Sequence, residues 1–147
     1  MSKNQEYFHL VFSTKNRRTT ITATNKRRLY EFIFNLLKDN NCYVYRINGM
    51  TEHVHILFDK NPNITMPDLV REIKSKSSIW MKHCGLFPYF EGWGREYCAI
   101  SKGRDELDTT TKYIINQEVH HRTISFVEEM QDIYRKCGIS WHENEFM

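Results

Sequence analysis

The 147-residue sequence has no apolar run approaching the roughly 18 residues that a membrane-spanning helix requires, which excludes a helical membrane protein. Its opening residues, Met1-Ser2-Lys3-Asn4-Gln5-Glu6, carry neither the apolar core nor the cleavage pattern of a secretory signal, so a cytoplasmic protein is expected. The four cysteines, Cys42, Cys84, Cys98 and Cys137, are scattered and form no C-x-x-C. Reduced, partly buried thiols are expected rather than a disulfide framework. Nothing near the adjacent His83-Cys84 completes a four-ligand zinc site. Internal repeats and low-complexity linkers are also missing. What remains is one domain over residues 1–147, long enough for one core. A hydrophobic content of 40% and an aromatic content of 14% exclude a disordered chain.

The net charge is only +3, but it is unevenly placed. Residues 1–38 hold eight Lys/Arg against Glu6 and Glu31, a net of +6; the remainder holds 13 basic and 16 acidic residues, a net of −3. A localised positive face suits a polyanion, although a solvated surface reads the same way.

The stretch around which the chain is organised is Glu52-His53-Val54-His55-Ile56-Leu57-Phe58. Its β-branched and aromatic residues predict a strand. Alternation then places Val54, Ile56 and Phe58 on a core face and His53, His55 and Leu57 on the other. Two neutral imidazoles two residues apart on one face can converge on one cation.

Tyr7–Thr14 predicts a first strand with Phe8, Leu10 and Phe12 facing the core. A helix capped by Thr22 or Thr24 follows, running to about Asp39 with Leu29, Ile33 and Leu36/Leu37 on its apolar side. Cys42–Asn48 reads as a second strand, joined to the histidine strand through an Asn48-Gly49 turn. Thr65 caps a second helix, with Asp68 three residues on; its apolar stripe, Leu69, Val70, Ile73, Trp80 and Met81, extends up to Gly85. Arg95–Ser101 reads as a fourth strand. A third helix is expected over about 105–119. A fourth starts near Thr123 or Ser125, with Phe126, Met130, Ile133 and Cys137 as its stripe and Gly138 as its stop. The order β-α-β-β-α-β plus two helices predicts an α+β, ferredoxin-like antiparallel sheet with additional C-terminal helices. In that arrangement the histidine strand is central, with its histidine face uncovered by the first two helices.

On the third helix, Tyr113 and Gln117 are spaced i, i+4 and share one side. His-Val-His on a strand after Asn-Gly, followed by Tyr-x-x-x-Gln on a late helix, resembles the single-tyrosine transposases of small insertion sequences. These belong to the HUH endonuclease superfamily and include the REP-associated tyrosine transposases. The resemblance extends to His9-Leu10-Val11-Phe12-Ser13-Thr14-Lys15, Lys74-Ser75-Lys76-Ser77-Ser78, Trp93-Gly94 and His120-His121, and so covers nearly the whole chain.

The resemblance implies that His53, His55 and Gln117 bind a divalent metal and that Tyr113 attacks the scissile phosphate of single-stranded DNA. It further implies a 5′-phosphotyrosine link, a free 3′-OH, and a homodimer in which the Tyr helix of one subunit lies over the metal pair of the other. Imidazole ligands favour Mn²⁺ on intrinsic affinity, while abundance favours Mg²⁺. A phenol with a pKa of about 10 is a weak nucleophile at neutral pH, so a Lewis acid is chemically coherent there. Glu52 is expected to be solvated, and His9 is placed to approach the pair if its strand is adjacent. Lys15, Arg17, Arg18, Arg27 and Arg28 are the expected phosphate contacts on single-stranded or hairpin DNA. Tyr43, Tyr45, Trp80, Trp93 and Tyr97 are stacking candidates, most of them better assigned to the core. The alternative is a non-catalytic ferredoxin-like module that binds single-stranded nucleic acid. It leaves the His pair and the Tyr-x-x-x-Gln helix without a purpose. A hydrolase of small phosphoesters is disfavoured, because too few acidic ligands accompany the pair.

Overall fold

The structure, a computed structural model, describes residues 1–146. Four strands, β1 (Tyr7–Thr14), β2 (Tyr43–Gly49), β3 (His53–Asp59) and β4 (Trp93–Lys102), form one antiparallel sheet in the order β2-β3-β1-β4. Helices α1 (Lys26–Asp39) and α2 (Met66–His83) supply the two crossovers. The chain ends in α3 (Leu107–Ile115), a short α4 (Gln117–His120) and α5 (Phe126–Cys137). This is the expected α+β, ferredoxin-like arrangement, with β1 and β3 in the middle.

The two faces of the sheet follow the alternation of residues. Leu10, Phe12, Val54, Ile56 and Phe58 are fully buried against α1 and α2, where Leu29, Ile33, Leu37, Leu69 and Ile73 meet them. His53, His55 and Leu57 are equally buried on the opposite face, because α3, α4 and α5 cover it. Thr65 caps α2 by accepting a bond from the Asp68 N–H. Ser125 caps α5 in a reciprocal box with Glu128, and Gly138 ends it in the left-handed conformation at φ 71°.

Several details differ from the sequence reading. The N-cap of α1 is Asn25, not Thr22 or Thr24, and the Asn25 side chain instead accepts from the Thr22 N–H at 2.7 Å. The β2–β3 hairpin turns at Met50–Glu52, one step beyond Asn48-Gly49. Gly49 is needed for close approach rather than turn geometry, since a Cβ there would lie 2.1 Å from the His53 carbonyl oxygen. The expected third helix is two. Asn48 donates its side-chain amide to the carbonyls of Ile114 (2.9 Å) and Ile115 (3.3 Å), the acceptors that a continuing helix would use. The chain breaks at Asn116, and Gln117 opens α4. On α5, Cys137 is exposed; the buried side is Phe126, Glu129, Met130 and Tyr134. All four cysteines are free, and no helix of the described residues is long and apolar enough to cross a membrane.

Candidate metal and nucleophile centre

Pairing of β3 with β1 sets His53 opposite Ser13, and His55 opposite Val11. The hairpin loop is pinned beside them, with the Thr14 N–H donating to the Glu52 carbonyl at 2.9 Å. This orients the Glu52 side chain, whose Oε1 lies 2.5 Å from His53 Nδ1. Glu52 is therefore a partner of His53 rather than a solvated residue. His9 sits one strand away, with Nε2 2.8 Å from His55 Nδ1. Each histidine is thus fixed through Nδ1 and presents Nε2 inward, the usual way in which outer partners orient a metal-binding imidazole.

A residue the sequence reading passed over stands where the two Nε2 atoms point. Glu129 of α5 is 2% exposed, and its Oε1 lies 3.4 Å from Nε2 of both His53 and His55 and 3.0 Å from His121 Nε2. Its Oε2 accepts from Gln117 Nε2 at 2.7 Å and from the Tyr113 hydroxyl. Gln117 Oε1 in turn lies 2.9 Å from His53 Nε2. Tyr113, His53, His55 and Gln117 are therefore brought to one place by a single chain, with Glu129 at the centre. The Tyr113 ring centroid is 5.9 Å from that of His55 and 6.0 Å from that of His9. A signal for Glu129 was present: it is the acidic residue in the i, i+3, i+4 apolar stripe Phe126-Glu129-Met130, a position where an unpaired carboxylate is rarely buried.

Burial opposes charge on His53, but the Glu129 and Glu52 carboxylates outweigh it and push its pKa up to about 9. Burial dominates at His55, and the charge of His53 adds to it, so its pKa falls to about 4. Burial also raises the Glu129 pKa, yet the bond to His121 and the facing imidazoles of His53 and His55 hold it well below the usual carboxylate range. Burial, and then Glu129, push the Tyr113 phenol up, away from ionisation. His9 is kept neutral, chiefly by burial.

The donor set fits a divalent ion. The ligating atoms of His53, His55 and Glu129 all lie within 4.8 Å of one another. An ion at about 2.1 Å from its ligands sets neighbouring ligand atoms about 3.0–3.4 Å apart. The observed 3.4, 3.4 and 2.9 Å separations match that spacing. His55 Nε2 is buried without a hydrogen-bond partner, 3.4 Å from the Glu129 carboxylate. An inward-facing imidazole nitrogen left without a partner is what a metal would satisfy.

Three of the expected DNA-binding basic residues line different grooves. Lys15, Arg18, Arg27 and Arg28 are exposed and Arg17 partly so. Lys15 lines a groove beside α2 and β4, Arg17 a depression near Trp141, and Arg27 a groove between α1 and β2. They lie close in sequence, but the crossover into α1 carries them apart. Arg18 and Arg27 also pair with Glu91 (3.1 Å) and Glu31 (3.4 Å). Among the stacking candidates, Tyr43 and Tyr45 are exposed on β2, while Trp80 stacks on Phe32 at 4.7 Å.

Residues 2–117 match the family described as "Transposase IS200 like". The chain is 24% identical over 115 residues to the ISDra2 transposase TnpA of Deinococcus radiodurans, covering 75% of this chain and 82% of that protein. A crystal structure of a transposase from Deinococcus radiodurans R1 superposes with a TM-score of 0.61 at 23% identity, covering 80% of this chain and 98% of that one. A REP-associated tyrosine transposase bound to a REP hairpin superposes with a TM-score of 0.62 at 17% identity, covering 84% of this chain and 76% of that one. Glu129, His121 and all of α5 lie beyond the segment that the family match spans.

Proposed function

The chain belongs to the IS200-like transposase family, and from that premise we propose that it cuts and rejoins single-stranded DNA through Tyr113 as nucleophile. The observation that carries this reading is the convergence of the Tyr113 hydroxyl, two inward-facing imidazoles and Gln117 on one buried carboxylate. His53, His55 and Glu129, with the Gln117 amide oxygen beside them, would hold Mg²⁺ or Mn²⁺. When bound, the ion supplies Lewis-acid polarisation of the scissile phosphoryl group. The carboxylate and amide oxygens suit both ions, and the imidazoles tilt intrinsic affinity toward Mn²⁺.

The side chains divide the remaining work. Glu52 and His9 hold the two imidazoles through Nδ1, and Gln117 Nε2 fixes the Glu129 carboxylate. Tyr113 is oriented by its O–H bond to Glu129 Oε2. As the Oη–P bond forms and the P–O3′ bond breaks, the phenol proton passes to solvent water and the departing 3′ oxygen takes a proton from solvent. The products are a 5′-phosphotyrosine and a free 3′-OH, and the covalent link conserves the energy for rejoining. A cavity of about 320 Å³ between α3 and α5, lined by His9, Lys102, Thr110, Tyr113 and Lys136, is the approach to the phenol.

The substrate is single-stranded or hairpin DNA, and the protein acts in the cytoplasm as one domain over residues 1–147. We further propose a homodimer whose sites are each built within one chain, since Tyr113 reaches its own histidines here. The test is trapping of a denaturant-resistant protein–DNA adduct on single-stranded oligonucleotides containing the flanks of the gene. Wild type forms the adduct in Mn²⁺, and Tyr113→Phe binds DNA without forming it. An adduct with Tyr113→Phe assigns the nucleophile elsewhere. DNA binding without any adduct in the wild type returns the protein to a non-catalytic binding module.

A further inference from the structure

A second functional surface lies away from the histidines. On β4, alternation puts Trp93, Arg95 and Tyr97 on the side facing α2. With Lys15, Lys74 and Ser78 they line an open groove of about 610 Å³. Lys74 is half-buried in it, 5.9 Å above the Phe12 ring and 6.0 Å above that of Tyr97. Its ammonium donates only to two backbone carbonyls, Gly94 and Glu96, each at 2.9 Å. Burial lowers its pKa to about 8. The neighbouring Arg18 and Arg71 are neutralised by Glu91 (3.1 Å) and Asp68 (2.8 Å). Among the described residues, no carboxylate oxygen comes within 4.0 Å of Lys15, Lys74 or Arg95. Glu91 lines the same groove and Glu96 acts on Lys74 from a distance, but neither pairs with any of the three. Three cations that no carboxylate pairs, over an aromatic floor, are a configuration that a phosphodiester completes.

The groove is also placed to serve the centre. Thr14 pairs with Trp93 and Ser13 with His53, so the groove mouth and His53 occupy the same end of the sheet on opposite faces. The turn Lys15–Arg17, held by the Lys15 N–H on the Gly92 carbonyl at 2.9 Å, forms the rim between them. From Lys15 in the groove the rim passes to Arg17, which lines the depression beside Val127 on the α5 side. β1 lies between β3 and β4, so about 10 Å of sheet separates Trp93 from His53, a distance that a few nucleotides span.

We propose that the α2–β4 groove is a single-stranded DNA subsite, in which Lys15, Lys74 and Arg95 take consecutive phosphates and a base stacks on Trp93 or Tyr97, the strand continuing over the Lys15–Arg17 rim to the histidines. This rests on the DNA-cutting reading above, and its test is run with metal chelated so that cutting plays no part. A fluorescein-labelled oligodeoxythymidylate is titrated with wild type, Lys15→Gln/Arg95→Gln, Lys74→Met and, as control, Lys38→Gln on the far end of α1. Each lost phosphate contact flattens the slope of log affinity against log salt by about 0.7 and weakens binding about fivefold at 0.1 M salt. The double variant therefore binds roughly 25-fold more weakly. Its two side chains are exposed, so its fold is retained even where Lys74→Met proves unstable. An oligonucleotide carrying 5-iododeoxyuridine crosslinks to Trp93 or Tyr97 on irradiation. Unchanged affinity and slope in the double variant, or crosslinks confined to other surfaces, overturn the groove. Binding in the groove by a protein that never forms a tyrosine adduct keeps the subsite and rejects the cutting reaction.

Discussion

Replacing Glu129 by alanine removes the hub of the centre, and the cost follows from its neighbours. The carboxylate is 2% exposed and accepts from His121 at 3.0 Å, Gln117 at 2.7 Å and the Tyr113 hydroxyl, while facing both inward imidazoles at 3.4 Å. Breaking a buried charge cluster by removing one member costs about 3–5 kcal/mol. For a domain of this size that lowers Tm by roughly 10–15 °C. The loss is pH-dependent, and its sign follows from the two histidines. His53 has its folded pKa raised from 6.5 to about 9, so its contribution is fully present below pH 6.5 and is lost as pH rises through about 9. The shift corresponds to about 3 kcal/mol. His55 is lowered from 6.5 to about 4, so burying it neutral stabilises above pH 6.5, and that contribution is lost as pH falls through about 4. The metal-free wild type is accordingly most stable near pH 6.5. Glu129→Ala removes part of the alkaline fall-off along with the stability, the rest being kept by Glu52 on the other side of His53. The assay is urea unfolding in chelator across this pH range. A variant with the wild-type midpoint and an equally steep alkaline decline refutes the placement of Glu129 among the histidines.

Mn²⁺ titration by calorimetry should show one site in the wild type that His53→Ala or His55→Ala abolishes. Gln117→Ala, which loses a neutral amide, should weaken it less; equal affinity in both histidine variants returns the pair to a structural role. Mixed dimers of Tyr113→Phe and His53→Ala should stay inactive, because each site needs both groups from one chain; recovered cleavage on mixing establishes a site shared between subunits. Gly49→Ala should destabilise the fold by more than about 3 kcal/mol, since the added Cβ meets the His53 carbonyl oxygen at 2.1 Å; a soluble variant with wild-type Tm contradicts the close hairpin approach.

The local periodicities determined a good deal of this protein. Alternation along Val54-His55-Ile56-Leu57-Phe58 sorted the sheet into an apolar face and a histidine face, because the period of a strand is fixed by backbone geometry. The order of elements sufficed for the ferredoxin-like sheet and its central histidine strand. The order of motifs along the chain was enough to suggest the family. What the chain could not declare locally came from contacts distant in sequence. The helix break at Asn116 is made by Asn48, 66 positions before Ile114. Glu129 joins the centre from a helix whose stripe reads as ordinary core packing, and its carboxylate is tolerated there only because imidazoles, an amide and a phenol from three other segments surround it. The basic residues near the N-terminus form one block in the sequence and line several grooves in space, since the chain from Lys15 into α1 runs from the β4 edge of the sheet to the β2 edge. Propensity and pattern act over a few residues and so are written in the sequence. The company that a buried charge keeps is set by the packing of whole elements, and only the tertiary structure decides it.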